Sequence, residues 1–330
     1  MTLRILPFDG SAAAYRARAG LLKEAQPDEP WSVEGEQAAD AEDAAAGDPG
    51  AAFLAEADGE TVGFARYRID PEAEFPGRRR LWLAVAHRAR RRGVGSALLA
   101  AAGQAAAAGG ASGFLVTTSL AEPDGLAFAL RHGFTEVEGE VELHLDLDAF
   151  SASRPPARPH PPGLLVADLA SLSRSAPDWL DRYYALYCSL AAGVMWASNA
   201  PAPNREHFRR FHLEAPGFLA EGTAVALLDG EWVGLGELWR SGDDRRTAYL
   251  ELAGVLPGRR RRGIGAALVA AVADGASRLG FRRLLTSTAT GNWAMQGLAD
   301  RLGFSVAARW SYLVGPVTGR GVLSEQEVGS

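Results

Sequence analysis

Two stretches combine arginines with closely spaced glycines: Arg90-Arg91-Arg92-Gly93-Val94-Gly95 and Arg260-Arg261-Arg262-Gly263-Ile264-Gly265. Each follows an apolar, strand-like run, Leu81–Val85 or Tyr249–Val255, and each leads into residues of helix-forming composition. A strand, a tight glycine turn and a helix start leave backbone N–H groups unpaired at the positive end of a helix dipole. That is a seat for a phosphate or pyrophosphate. A side chain at either glycine would hold the anion off the backbone, and the arginines add attraction for it. A dinucleotide-binding turn would need a third glycine, where the chain has Leu268, and no phosphate-loop Gly-x4-Gly-Lys-Ser/Thr occurs. Taken singly, such a stretch is equally well read as a solvated arginine turn beside a helix.

The repetition decides between these readings. The glycine turns lie 170 residues apart, and Val85/Val255, Leu115–Thr118/Leu285–Thr288 and Gly133-Phe134/Gly303-Phe304 keep that offset. Asp58–Gly63 and Asp229–Gly234 keep an offset of 171. A whole domain has been duplicated, with a period far beyond that of a solenoid.

Valine, seven residues, Gly-x-Gly with arginine three residues before the first glycine, and a later Gly-Phe resemble the core motif of the GNAT acyltransferase superfamily (GCN5-related N-acetyltransferases). Both halves match, over nearly the whole chain. The resemblance implies an α/β protein with two tandem GNAT-like domains. Each would be a mixed, mostly antiparallel sheet flanked by helices and split where its central parallel pair diverges. It also implies acetyl-CoA, or another acyl-CoA, as co-substrate. The residues it points to are Ala253, Val255, Leu256, Arg260–Ala266 (Arg260, Arg261, Arg262, Gly263, Ile264, Gly265, Ala266) and Asn292, with Val85, Arg90, Arg91, Arg92, Gly93, Val94 and Gly95 in the first half. In the family an Asn eleven residues before the Gly of Gly-Phe contacts the pantetheine arm. Asn292 stands there in the second half and Glu122 in the first. An N-cap role is equally natural for Asn292. Many members carry a Tyr seven residues further on, as proton donor to the leaving thiolate; here that residue is Ala299 or Ala129. The general acid is therefore open among Tyr312, Ser287 and water, with none required as a further alternative for a thiolate leaving group.

Acyl transfer to an amine requires removal of a proton, because a lysine-like amine is only about one part in a thousand neutral at pH 7. Glu251, four residues before Val255 and so expected on the same side of the strand, is the candidate base. Glu237 is the other, and the 170-residue offset puts Leu81 opposite Glu251 in the first half. The thioester carbonyl would be polarised by a backbone N–H near Val255. The reading is an N-acetyltransferase acting on a primary amine of a small molecule in a ternary complex, with the second half catalytic and the first degenerate. A protein or peptide acceptor, or a non-catalytic acyl-CoA-binding regulator, stays open.

Composition sets the outer limits. The chain's 330 residues suit about two domains, and 47% hydrophobic with 22% charged residues is ordinary for a soluble globular protein. A net charge of −6 argues against nucleic acid as a partner. Cys188 is the single cysteine, which excludes an intrachain disulfide and fits a reducing, cytoplasmic setting. No apolar run is long enough for a membrane span, and the six histidines show no ligand spacing. A monomer with its two halves paired as a pseudo-dimer, or a homodimer, is expected.

The elements that must position these residues follow from pattern. Domain one is expected over 1–150, a proline-rich linker over 151–163, domain two over 164–317 and a disordered tail over 318–330. Glu34–Gly50, rich in Ala, Asp, Glu and Gly, reads as a solvated or mobile loop, with a lid as its functional alternative. Hairpins are expected at Asp58-Gly59 and Asp229-Gly230. The stripe Trp179, Tyr183, Tyr184, Tyr187 reads first as a core face and second as an acceptor pocket.

Overall fold

A computed structural model describes residues 2–26, 31–45, 47, 50–69, 77–154, 159–192, 204–241 and 244–317. Along them run β1 (Leu3–Pro7), α1 (Ala12–Ala25), α2 (Val33–Ala45), β2 (Ala51–Ala57), β3 (Glu60–Ile69), β4 (Arg78–Val85), α3 (Val94–Ala108), β5 (Gly113–Ser119), α4 (Pro123–Arg131), β6 (Thr135–Asp146) and α5 (Leu147–Ala152). Then come β7 (Leu164–Asp168), α6 (Leu169–Ser175), α7 (Trp179–Ala191), α8 (Arg205–Phe208), β8 (Ala224–Leu228), β9 (Glu231–Arg240), β10 (Thr247–Val255), α9 (Ile264–Arg278), β11 (Arg283–Ala289), α10 (Trp293–Leu302) and β12 (Ser305–Gly315).

The chain forms two compact units: Met1–Glu138 with the segment from Ser311 onward, and Gly139–Trp310. In unit one the strand order is β1-β2-β3-β4-β5, followed by the end of β12; in unit two it is β6-β11-β10-β9-β8-β7. The boundary thus differs from the one expected at 151–163. Residues Asp146 to Glu140 of β6 pair antiparallel with Arg283–Ala289, and Val141, Leu143 and Leu145 are buried in the core of unit two. Leu313, from the far end of the sequence, is buried in the core of unit one. Part of the proline segment, 155–158, and the expected tail lie outside the described residues.

Strands β1 to β4 pair antiparallel in turn, as do β7 to β10 and β6 with β11, whereas β4 runs parallel to β5 and β10 parallel to β11. Those parallel ladders are short: Arg78–Arg80 with Gly113–Leu115, and Thr247–Tyr249 with Arg283–Leu285. Past them the parallel ladder ends, on the side where each unit's glycine turn begins. Helix α3 covers one face of unit one through Val94, Leu98, Leu99, Ala102 and Ala106. In unit two α9 does the same through Ile264, Leu268, Val269 and Val272, while α7 covers the opposite face through Tyr183, Leu186 and Leu190.

The acidic stretch expected as a loop is largely a helix, α2. Glu36, Asp40 and Asp43, at helical spacing, share one face and meet buried arginines. Glu36 pairs with Arg18, and Asp40 with Arg18 at 2.8 Å and with Arg66 at 2.7 Å. Asp43 pairs with Arg66 and with Arg68 at 2.7 Å. The arginines on α1 and β3 order this helix. Composition alone cannot show partners that distant in sequence.

Candidate active site

The glycine turns have the geometry their composition implies. Gly263 lies at φ 80° and Gly93 at φ 83°, both left-handed, each as the N-cap of the following helix. Arg261 and Arg91 are left-handed as well, at φ 61° and 63°. The first helical bond of α9 runs from Ala267 N–H to the Gly263 carbonyl, so the amides of Ile264, Gly265 and Ala266 precede the ladder and point out of the helix start. Gly263 is required twice over: by its backbone angle, and because a Cβ there would sit 2.5 Å from the Pro159 carbonyl oxygen. Ile264 and Leu268 turn their side chains into the core, leaving backbone at the seat. This cradle of amides without side chains suits a pyrophosphate, and so fits the acyl-CoA that the motif implies.

Arg260 and Arg90 do not simply wave in solvent. Their Nε atoms donate to the carbonyls of Val255 (2.8 Å) and Val85 (3.2 Å), tying the turn to the strand end. The surroundings differ. Arg90 lies 3.7 Å from Glu122 and 4.0 Å from Asp124 at the start of α4. In unit two the matching helix start carries neutral Asn292, so no carboxylate from that position competes for Arg260. Asn292 caps α10: its Oδ1 accepts from Met295 N–H at 3.1 Å and its Nδ2 donates to Thr288 Oγ1 at 2.9 Å.

The catalytic candidates centre on a bulge in β10. The pairing of β10 with β9 shifts register between Leu250 and Ala253, leaving Glu251 and Leu252 together opposite Glu237. Ala248 and Leu250 face the α9 core before the bulge, Ala253 and Val255 after it, and Leu252 packs in the α7 cluster. Counting by twos from Val255 to Glu251 crosses the bulge, so the alternation expected to place both on one side does not hold. Glu251 is exposed. The bulge also corrects its counterpart in unit one. There the β3–β4 ladder is regular, with Tyr67↔Leu81 and Arg66↔Trp82, so Leu81 matches Leu250 and the single Trp82 stands where unit two has Glu251 and Leu252.

Two expected participants lie elsewhere. Tyr312 belongs to unit one, whereas Glu251 belongs to unit two. Glu237 is fully buried, its Oε1 accepting from the Tyr183 hydroxyl and lying 3.0 Å from His212 Nε2. The pattern did not single out Tyr249, the last residue of β10 paired with β11. Its hydroxyl is 2.5 Å from Ser287 Oγ. Burial pushes the phenol well above its usual range, and the carboxylates of Glu251, Glu140 and Glu142 add to that against the Ser287 hydrogen bond. Its position two residues before Glu251 is the signal that could have found it. Of the aromatic stripe on α7, Tyr183 is fully buried among Leu186, Leu190 and Phe208, whereas Trp179, Tyr184 and Tyr187 are half-buried against the same cluster.

Comparisons with known proteins bear on this arrangement. The sequence matches the acetyltransferase (GNAT) family over residues 18–134 and again over 180–304, and the chain belongs to that family. No curated protein sequence matches it. Among solved structures, the fold is similar to a GCN5-related N-acetyltransferase from Sphaerobacter thermophilus, with TM-score 0.71 and 19% identity, covering 95% of this chain and 96% of that one. It is also similar to a tandem GNAT protein from the clavulanic acid biosynthesis pathway, with TM-score 0.64 and 18% identity over 97% and 100% of the two chains. The protein is thus a transferase of the acyl-CoA-dependent N-acetyltransferase class with two GNAT domains, and members of the family generally use acetyl-CoA. Among the described residues no helix is long and apolar enough to cross a membrane.

Proposed function

We propose that unit two transfers an acetyl group from acetyl-CoA to a primary amine of a small molecule, directly and within a ternary complex. The single observation carrying this reading is the conjunction, in unit two alone, of a glycine turn faced by neutral Asn292 at the next helix start with a bulge in the adjoining strand. Unit one keeps the turn but has a regular strand and acids at Arg90.

The amides of Ile264, Gly265 and Ala266 would hold the pyrophosphate, and Asn292, anchored as a cap, would border the pantetheine arm. Acetyl-CoA supplies an electrophilic thioester carbonyl and a thiolate leaving group. The edge of β10 beyond Tyr249, with no ladder partner on β11, offers amides to polarise that carbonyl. Tyr249, kept protonated by burial, is the proton source the fold offers where the β10–β11 ladder ends. Glu251, exposed at the bulge, attracts the ammonium form of the acceptor and leads its proton out to solvent.

Thiol release from acetyl-CoA, followed over a panel of small amines and lysine peptides, tests this. Turnover with a small amine supports the reading. Turnover only with peptides moves the acceptor class to proteins, and tight acetyl-CoA binding without turnover makes the protein a sensor.

A further inference from the structure

Opposite the bulge lies a polar cluster that the acyl-transfer reading leaves unused. Glu237 sits on β9 between the pairs Gly236↔Ala253 and Leu238↔Leu250, with none of its surface exposed. Oε1 meets both Tyr183 and His212, and among the described residues Oε2 has no hydrogen-bond partner. A carboxylate with no exposed surface is costly to keep unless its partners compensate. At the matching position of unit one, 171 residues earlier, Arg66 is tied up by Asp40 and Asp43.

His212 comes from the π-turn Arg209–Leu213, a local geometry that is rare and concentrated at functional sites. Its ring is clamped by Phe208, stacked at 4.6 Å, and by the edges of Tyr187 at 4.8 Å and Trp239 at 5.0 Å. The side chain keeps 17% of its surface exposed. A carboxylate oxygen only accepts, so Nε2 carries the hydrogen and Nδ1 holds the lone pair. Leu252 of the bulge packs in the same cluster as Tyr183 and Phe208.

We propose that His212, oriented by Glu237, is the catalytic base that takes the acceptor amine's proton beside the bulge of unit two, an inference that rests on the N-acetyltransferase reading above. The ammonium gives one proton to His212 Nδ1, and the neutral nitrogen attacks the thioester carbon. The N–C bond forms, the C–S bond breaks with its electron pair on sulfur, and the second amine proton ends on the departing thiol. The imidazolium, its charge faced by Glu237, returns its proton to solvent. Glu237 is a positioning residue in this scheme. Among the described residues, the titratable groups facing the ring are Glu237 from β9 and Tyr187 from α7, with Tyr183 donating to the same Glu237 oxygen. Arg209 and Arg210 flank His212 in the chain, and Arg209 pairs with Glu206 and Glu214.

Two measurements test this on the full-length protein. The first needs no acceptor: carbethoxylation by diethyl pyrocarbonate, read by mass spectrometry, should mark His212, slow as pH falls, and slow further with acetyl-CoA present. The second is the pH profile of kcat/KM with an amine that turns over. His212→Gln should lower kcat/KM by roughly 10²–10⁴-fold with acetyl-CoA affinity unchanged. Glu237→Gln, which keeps an acceptor oxygen for Nε2–H, should move the acid limb to lower pH, because the imidazolium loses its counter-charge. A purely structural Glu237 would not move that limb. An acid limb untouched by both variants, or His212 labelling indifferent to acetyl-CoA, overturns the proposal. A wild-type protein that binds acetyl-CoA but acetylates no amine sinks the acetyltransferase reading itself, and the wild type alone tells that failure apart.

Discussion

At the residue scale, the proton of the acceptor leaves through two groups in series, and their losses should differ. His212 makes the first transfer in this scheme, whereas Glu251 stands exposed at the bulge and acts through charge and water. Glu251→Gln should therefore lower turnover by on the order of tenfold, less than His212→Gln, with acetyl-CoA affinity unchanged. Steady-state kinetics on both variants decides, and a larger loss at Glu251 reverses the order. Tyr249 offers a pH test. Its folded phenol is held above the unfolded value, so the resulting stability is complete below the ordinary tyrosine range and is lost as pH climbs toward the folded value. Stability should fall above about pH 10. Tyr249→Phe should flatten that fall, seen in chemical denaturation repeated at rising pH.

At the element scale, the glycine turns were the most legible part of the chain, because φ and close backbone approach leave few residue choices. The bulge was not legible. Nothing in Tyr249–Val255 breaks the alternation of a strand, and only pairing with β9 shows that Glu251 and Leu252 share one partner. Helix α2 was hidden for a related reason, since its order comes from Arg18 and Arg66 on other elements. Asp43→Asn should cost about 3–5 kcal/mol, the usual effect of removing one member of a buried ion pair, measurable by denaturant titration. The turns invite a matched comparison. A Cβ at Gly265 meets only ordinary contacts, 3.6 Å from Leu298 Cδ2, so Gly265→Glu should fold. A carboxylate in the first turn even suits the helix dipole. It also occupies the place of the pyrophosphate, so acetyl-CoA binding and turnover should both vanish. Gly95→Glu in unit one crowds Phe128 at 3.1 Å and should lower stability modestly while leaving most turnover. Calorimetric binding and kinetics on the two variants check this, and lost turnover in a folded Gly95→Glu protein would assign the working half to unit one.

At the scale of the whole molecule, the internal repeat showed that there are two units but not which strands belong to each. Periodicity counts strands in order along the chain, whereas membership depends on which sheet a strand pairs with. Cutting at the proline segment should therefore fail to give two folding fragments. A fragment ending at residue 154 lacks Leu313, which is fully buried in unit one, and Gly315, whose Cα lies against the Phe134 ring. A fragment starting at residue 159 lacks Val141, Leu143 and Leu145, each at most 5% exposed in unit two. Three such side chains contribute roughly 5–9 kcal/mol at about 1.5–3 each, comparable with the entire stability of a typical domain of about 5–15 kcal/mol. Each fragment alone should be largely unfolded by circular dichroism. Co-expression of the two should restore soluble, acetyl-CoA-binding protein, because every strand is then present. A fragment 1–154 that melts cooperatively on its own near the temperature of the intact chain would show that the end of β12 is dispensable to unit one.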